Sequence, residues 1–263
     1  PNQMTEMGLT FDTIADDYDR YRETYPAEFV KDVLLTIPKT DLGRLCEIGC
    51  GSGQATVRLA DIGFEITCVD PGMRLLDLAR KRLGSRSNVS FIESAFESAQ
   101  LPVGYFDVVF AAQSLHWVPQ QYRFMKSAEI LKPDGYMVAV WRWNHPLSGP
   151  LGDKLNAIFS EHVPAYRIET MDDFEHAAID CFNELVASNK FRQCQLRRIP
   201  YGWNKDAEYY TSAISTWSQL AALPVADRDK VCQMLRREID LAGGQIFESG
   251  ETVIIAGRKR GQE

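Results

Sequence analysis

None of the six cysteines forms a C-x-x-C pair, and none of the four histidines stands in an H-E-x-x-H or comparable ligand spacing. With those patterns missing, no metal site is expected. Cys46, Cys50 and Cys68 lie in or beside apolar runs, where cysteine behaves as a small hydrophobe, so the thiols read as reduced, in a cytoplasmic protein. Excess basic charge is also missing. The net charge is −7, which argues against a general nucleic-acid or membrane surface, because a phosphate backbone needs a basic face. The closing run Arg258-Lys259-Arg260 is short and reads as a solvated tail. The chain shows no basic-then-apolar leader and no apolar run long enough to span a bilayer. It contains no internal repeats and no low-complexity tracts.

What is present is an ordinary globular composition, 45% hydrophobic and 25% charged over 263 residues. That length suits one large domain, or a core carrying a cap. Residues 1–9 read as a tail. Pro26 stands where a helix would begin, and Phe29, Val30, Val33, Leu34 and Ile37 form one apolar face. Strands are predicted at about 44–49, 65–69, 89–93, 105–111 and 136–141, with helices at about 53–62, 73–83 and 120–131 between them. This alternation implies βαβ units and a parallel sheet. After His145-Pro146 the pattern turns mostly helical. Further strands are predicted at 191–199 and 252–258, with helices at about 206–221 and 227–241.

The densest local signal is the run LCEIGCGSGQ from Leu45 to Gln54. A strand enters three glycines at alternate positions, Gly49, Gly51 and Gly53, and the next strand ends in Asp70 followed by Pro71. Glycines let the backbone pass close to a ligand, and an acid at that strand end can bind a ribose diol. The dinucleotide fingerprint G-x-G-x-x-G would need glycine where Gln54 stands. Glu47 counts against a pyrophosphate and suits a cationic ligand.

This set resembles the E-x-G-x-G-x-G motif of the class I S-adenosylmethionine (SAM) dependent methyltransferases. The segments from Phe11 to Tyr18 and from Tyr21 to Pro26 look like the N-terminal segment of the small-molecule branch. Phe106–Phe110 and Leu131–Gly135 look like its fourth strand and the turn before its fifth. The run Gln113-Ser114-Leu115-His116-Trp117 is similar to that of trans-aconitate methyltransferase-like proteins. The resemblance covers residues 10 to 143. It implies an α/β, Rossmann-like fold: a seven-stranded, mostly parallel sheet with strand 7 antiparallel and helices on both faces. It also implies SAM as cofactor and S-adenosylhomocysteine as product. The expected organisation is one domain over 1–263. A SAM-binding core with an N-terminal lid takes 10–145, and a substrate-side helical cap around strand 6 takes 146–250.

Roles follow from this resemblance and from side-chain chemistry. The glycine turn passes beside the methionyl and ribose parts. Glu47 orients loop N–H groups or the methionyl ammonium, and Asp70 accepts from ribose hydroxyls. Met73 lies against adenine or packs in the core. Ala95 and its neighbours stand where the family reads the adenine amino group, and Phe96 either stacks on adenine or fills the core. Tyr18 and Arg22 share a helix face, with Arg22 able to pair with the SAM carboxylate. Ala112 and Gln113 close the cofactor list. His116 is a general base, a substrate contact or a structural residue. Trp117, Trp141 and Trp143 are the expected substrate wall, and Arg142 points away from the latter two if the strand reaches that far. No Asp/Asn-Pro-Pro-aromatic box and no Pro-Cys motif of base-modifying enzymes is present. The expected acceptor is therefore a small molecule, with a carboxylic acid among the candidates and no nucleic-acid or membrane partner. A SAM-dependent enzyme acting on RNA or protein and a nicotinamide oxidoreductase are the alternatives. The oligomeric state is not legible.

Overall fold

The computed structural model describes residues 25, 27–37, 43–164, 171–215 and 217–261. Seven strands form one sheet: β1 (Arg44–Ile48), β2 (Glu65–Asp70), β3 (Val89–Glu93), β4 (Phe106–Ala112), β5 (Leu131–Asn144), β6 (Phe191–Asp206) and β7 (Gln245–Lys259). Their order is β3-β2-β1-β4-β5-β7-β6. The pairs from β3 across to β5 are parallel, and β7 runs antiparallel to both β5 and β6. The helices are α1 (Ala27–Thr36), α2 (Gln54–Asp61), α3 (Met73–Leu83), α4 (Gln120–Ile130), α5 (Gly149–His162), α6 (Met171–Ala187), α7 (Ala207–Ile214), α8 (Ser218–Ala221) and α9 (Val225–Leu241). A 3₁₀ turn spans Leu115–Trp117.

Strand β4 is buried at every position but its last, so both its faces need covering. On one face Leu45, Val108, Phe110, Val138 and Val140 pack under Val33 of α1, Leu59 of α2 and Leu76 and Ala79 of α3. On the other, Cys46, Ile48, Val109, Ala139, Trp141 and Trp143 pack under Phe124 and Ala128 of α4 and Ala178, Cys181 and Leu185 of α6. Among the described residues no helix is long and apolar enough to cross a membrane.

Three features differ from the sequence expectation. First, β6 and β7 are far longer than 191–199 and 252–258. The last β5–β7 pair is Asn144↔Gly250, yet β6 and β7 stay paired on to Asp206↔Gln245. Because β6 runs parallel to β5, this two-stranded extension stands beyond the carboxyl ends of the parallel strands. Second, a separate apolar core forms around the extension, from Leu155 and Phe159 (α5), Tyr210 and Ile214 (α7), Leu220 (α8), Val231, Leu235 and Ile239 (α9), and Ile246 of β7. The single helix expected over 206–221 is two, α7 and α8. Third, α6 packs on the sheet, not in this second core. Its apolar stripe gave no indication of which surface it would meet.

Candidate active site

The three glycines end β1 for different reasons. Gly49 has φ 64°, and a Cβ there would lie 2.5 Å from the Ser114 Cβ. Ser114 in turn donates its hydroxyl to the Ile48 carbonyl. The loop after β4 therefore locks directly onto the end of β1. Gly51 has φ 53°, but a Cβ there would meet nothing within 4 Å among the described residues. Among these, only the backbone conformation asks for glycine. Gly53 caps α2 and packs against Ala79 and Leu83 of α3.

Asp70 holds this loop. One carboxylate oxygen accepts the Gly51 N–H at 2.9 Å and the other the Gly72 N–H at 2.8 Å. A carboxylate oxygen is an acceptor only, and these two bonds place it at the end of β2, beside the glycine loop. Glu47 lies elsewhere. It is buried and accepts the Thr56 hydroxyl at 2.7 Å. The hydrogen bonds to the Gly51 and Gly72 N–H groups thus come from Asp70, so of the two roles expected of Glu47 the ordering of loop N–H groups falls to Asp70. Burial pushes the Glu47 carboxyl up to about 8; the Thr56 bond works against that rise and the nearby Asp70 adds to it.

Met73 begins α3 with 55% of its surface exposed, so the core-packing alternative is removed and an apolar platform beside the loop remains. Pro71 is exposed next to it, and Ala95 is half-buried at the end of β3. Phe96 is 3% exposed within the sheet core, with the Lys126 ammonium 5.4 Å from its ring. It fills the core and does not stack on a ligand. Tyr18 and Arg22 lie outside the described residues, as does most of the proposed lid.

The loop after β4 is held tightly. Ala112 is half-buried. Gln113 has φ 58°, its N–H reaches Val140 O at 2.8 Å, and its side-chain amide donates to Arg142 O. Arg123 clamps the next turn, donating to His116 O at 2.9 Å and Val118 O at 2.7 Å while pairing with Glu184 of α6 at 2.9 Å. His116 Nδ1 lies 3.1 Å from Trp141 Nε1. Indole nitrogen only donates, so Nδ1 must be the unprotonated nitrogen and Nε2 carries the proton. Desolvation, and secondly the Arg123 charge, push the His116 pKa down to about 4. The ring is a neutral hydrogen-bond donor whose basic lone pair is already used. A general base needs that lone pair.

Two of the expected wall residues turn inward. Trp141 is 0% and Trp143 5% exposed, both in the sheet core. Trp141 donates to His116 from within that core; Trp117 stays half-buried beside the His116 ring, 4.5 Å between centroids. The opposite face of β5 carries the residue that the sequence reading set aside. The Arg142 guanidinium lies 4.4 Å from the Tyr201 ring, 5.2 Å from Trp203 and 5.8 Å from Tyr25. Tyr201 and Trp203 stack on each other at 4.9 Å. Their i, i+2 spacing was a visible signal, but it counts only once β6 is known to extend that far. Beyond them Lys205 pairs with Glu248, both almost fully buried, and Asn144 binds the other Glu248 oxygen at 3.0 Å.

A profile of the family described as methyltransferase domain matches residues 46–139. An uncharacterized methyltransferase-like protein of Schizosaccharomyces pombe is 31% identical over 226 residues, covering 84% of this chain and 82% of that protein. The chain belongs to the methyltransferase family. An uncharacterized methyltransferase of Mycobacterium bovis is 31% identical over 136 residues, 52% of this chain and 53% of that protein, so the match spans about half that relative's length. Among solved structures, one from Anaeromyxobacter dehalogenans, provisionally assigned as a type II methyltransferase, superposes with a TM-score of 0.66 at 18% identity, over 92% of this chain and 100% of that one. The sheet is thus the Rossmann-like methyltransferase fold. The cofactor of the family is SAM, and the residues here fit it. Gly51, crowded by none of the described residues, the Asp70 carboxylate and the exposed Met73 lie at the carboxyl ends of β1 and β2. The nicotinamide alternative falls with this assignment.

Proposed function

We propose that this methyltransferase-family chain transfers the SAM methyl group to a small-molecule acceptor. The acceptor would bind at the carboxyl ends of β4 and β5, beneath the cap that stands on the β6–β7 extension. That cap is the observation that carries the reading. It is a second apolar core placed beyond the carboxyl ends of the parallel strands, and a site lying under such a layer would suit a small ligand better than a polymer. The net charge of −7 favours the same choice over nucleic acid.

SAM supplies a methyl group on a sulfonium, whose leaving group is already good. The chain's task is alignment and exclusion of water. Asp70 fixes the loop and stands at the strand end where an acid can accept from ribose hydroxyls, while Met73 supplies an apolar surface for the base. His116, a neutral donor at Nε2, would hold an acceptor group and take no proton from it.

Purified protein tests this with labelled SAM against small carboxylic acids, phenols and amines, beside tRNA and a protein extract. Label transfer to at least one small molecule is expected, together with a thermal shift by S-adenosylhomocysteine and none by NADH. Transfer only to RNA or protein would overturn the small-molecule reading and leave the family assignment intact.

A further inference from the structure

Where β5 hands over to α5, a cavity of about 250 Å³ lies between that connection and β7. His145, Leu147 and Leu151 line it from the connection and the start of α5, and Phe247 and Ser249 line it from β7. Its volume is several waters' worth at about 30 Å³ each, and voids of that size are few in close-packed proteins. A cavity of about 150 Å³ already holds benzene, so there is room here for one substituted ring.

The walls are fixed without a guest. The His145 N–H donates to Ser249 O at 2.7 Å, and the Asn156 amide donates to Leu147 O at 3.2 Å. A Cβ on Gly152 would lie 2.7 Å from the Leu147 carbonyl carbon, so the connection turns tightly onto α5. Leu147 and Leu151 pack on the second core. Phe247 is 62% exposed, a large apolar ring left to water, and its Cζ would lie 2.6 Å from a Cβ on Gly202 of β6.

The lining also selects by charge. Among the described residues no Asp, Glu, Lys or Arg lines the cavity, so an ion would enter without a countercharge. The polar couple is His145 Nδ1 and Ser249 Oγ, 3.2 Å apart. A serine hydroxyl both donates and accepts. A guest hydroxyl, which does the same, finds a partner whichever tautomer the ring holds. The cavity also stands apart from the cofactor edge. The last β4–β5 pair is Ala112↔Val140, and His145 lies five residues further on, roughly 16 Å at about 3.3 Å per residue. A guest of one ring does not span that distance.

We propose that this cavity is a second binding site, separate from methyl transfer, for a small neutral molecule with one ring and a hydroxyl. The hydroxyl binds the His145–Ser249 couple and the ring lies among Leu147, Leu151 and Phe247. Such a guest bridges the β5–α5 connection and β7, and so fastens the cap to the sheet.

Phenol is the probe, titrated by NMR into the full chain with and without S-adenosylhomocysteine, beside toluene, benzoate and benzylammonium. Phenol should shift the amide signals of His145, Gly152, Phe247 and Ser249, and both ions should bind about tenfold or more weakly. Ser249→Ala should weaken phenol about fivefold and leave toluene unchanged, a difference that general loosening would not produce. Leu151→Trp should fill the cavity and remove phenol binding. S-adenosylhomocysteine affinity within about twofold of wild type reports that each variant folds. Phenol shifts absent from these residues, benzoate bound as tightly as phenol, equal losses of phenol and toluene in Ser249→Ala, or unchanged phenol affinity in Leu151→Trp would each overturn the proposal. Competition between phenol and S-adenosylhomocysteine would also overturn it, by putting the guest at the cofactor edge.

Discussion

The sheet has two unlike halves. From β3 to β4 the strands are five to seven residues long, all parallel. From β5 through β7 to β6 they run fourteen to sixteen residues, antiparallel, and join segments distant in the chain. The first half presents the cofactor loop through backbone geometry set by neighbouring residues. The second half presents Arg142, the aromatic pair and the cap, and its geometry depends on pairings made across long intervals. Affinity for the cofactor should therefore be sensitive to the first half and stability of the cap to the second, with little crossover.

The largest expected effect lies in the second half. Lys205→Met removes the cation paired with the buried Glu248 carboxylate and should cost about 3–5 kcal/mol in denaturant unfolding, while Lys205→Met with Glu248→Leu recovers most of it. S-adenosylhomocysteine affinity should hold in any variant that stays folded. A large loss of affinity in the folded double variant would break the division between halves.

Next comes Gly49→Ala. A positive φ and a Cβ 2.5 Å from Ser114 should together cost about 2–4 kcal/mol and abolish cofactor binding. Adding Ser114→Gly should relieve the overlap and restore part of the stability. Gly51→Ala, with the same sign of φ and no overlap, should cost about 1–2 kcal/mol in the free protein. Equal costs at both positions would show that the Ser114 contact does not matter.

Glu47 gives a pH-dependent version of the same test. Its folded pKa is raised to about 8, above the usual 4.5. The stability it contributes is thus full below about pH 4.5 and is lost as pH rises through 8. The stability difference between wild type and Glu47→Gln should change by about 1–3 kcal/mol between pH 5 and pH 9, in the direction of the variant gaining. A difference that stays level across that range would mean the carboxyl is ionised throughout.

The smallest effect is a titration. His116, with its pKa lowered to about 4, contributes stability above about pH 6.5 that fades as pH falls toward 4. The catalytic rate should show no His116 inflection between pH 6 and 7. Trp141→Phe removes the donor that favours the neutral ring, and the imidazole pKa, followed by NMR, should rise by about one unit. His116→Ala should raise KM more than it lowers kcat. A collapse in kcat with KM unchanged would restore the general-base role.

Legibility in the sequence follows the same division. The alternation of strands and helices, the turn at Gly49, Gly51 and Gly53 and the acid at Asp70 are local patterns, and the structure has all of them. The glycine spacing marks the loop, but it does not say that Ser114, sixty-odd residues on, is what excludes a side chain at Gly49. Trp141 and Trp143 show the limit most clearly. Strand alternation correctly separates them from Arg142, yet period alone does not reveal which face is roofed by α6 and which looks toward the cap. Large aromatics at a strand end read equally as core or as pocket, and the deciding fact is the packing of a helix that starts at Met171.

The placement of β7 between β5 and β6 also sets an order of events during synthesis. When β6 leaves the ribosome, the strand that will tether it to the sheet has not yet been made, because α7, α8 and α9 come first. Until β7 arrives, β5 is an open edge of the sheet, and β6 has no strand to pair with. The half that carries the glycine loop is complete by then. The glycine loop would thus be framed before the β6–β7 extension exists, and the exposed strand edges in that interval are where chaperones would be expected to act.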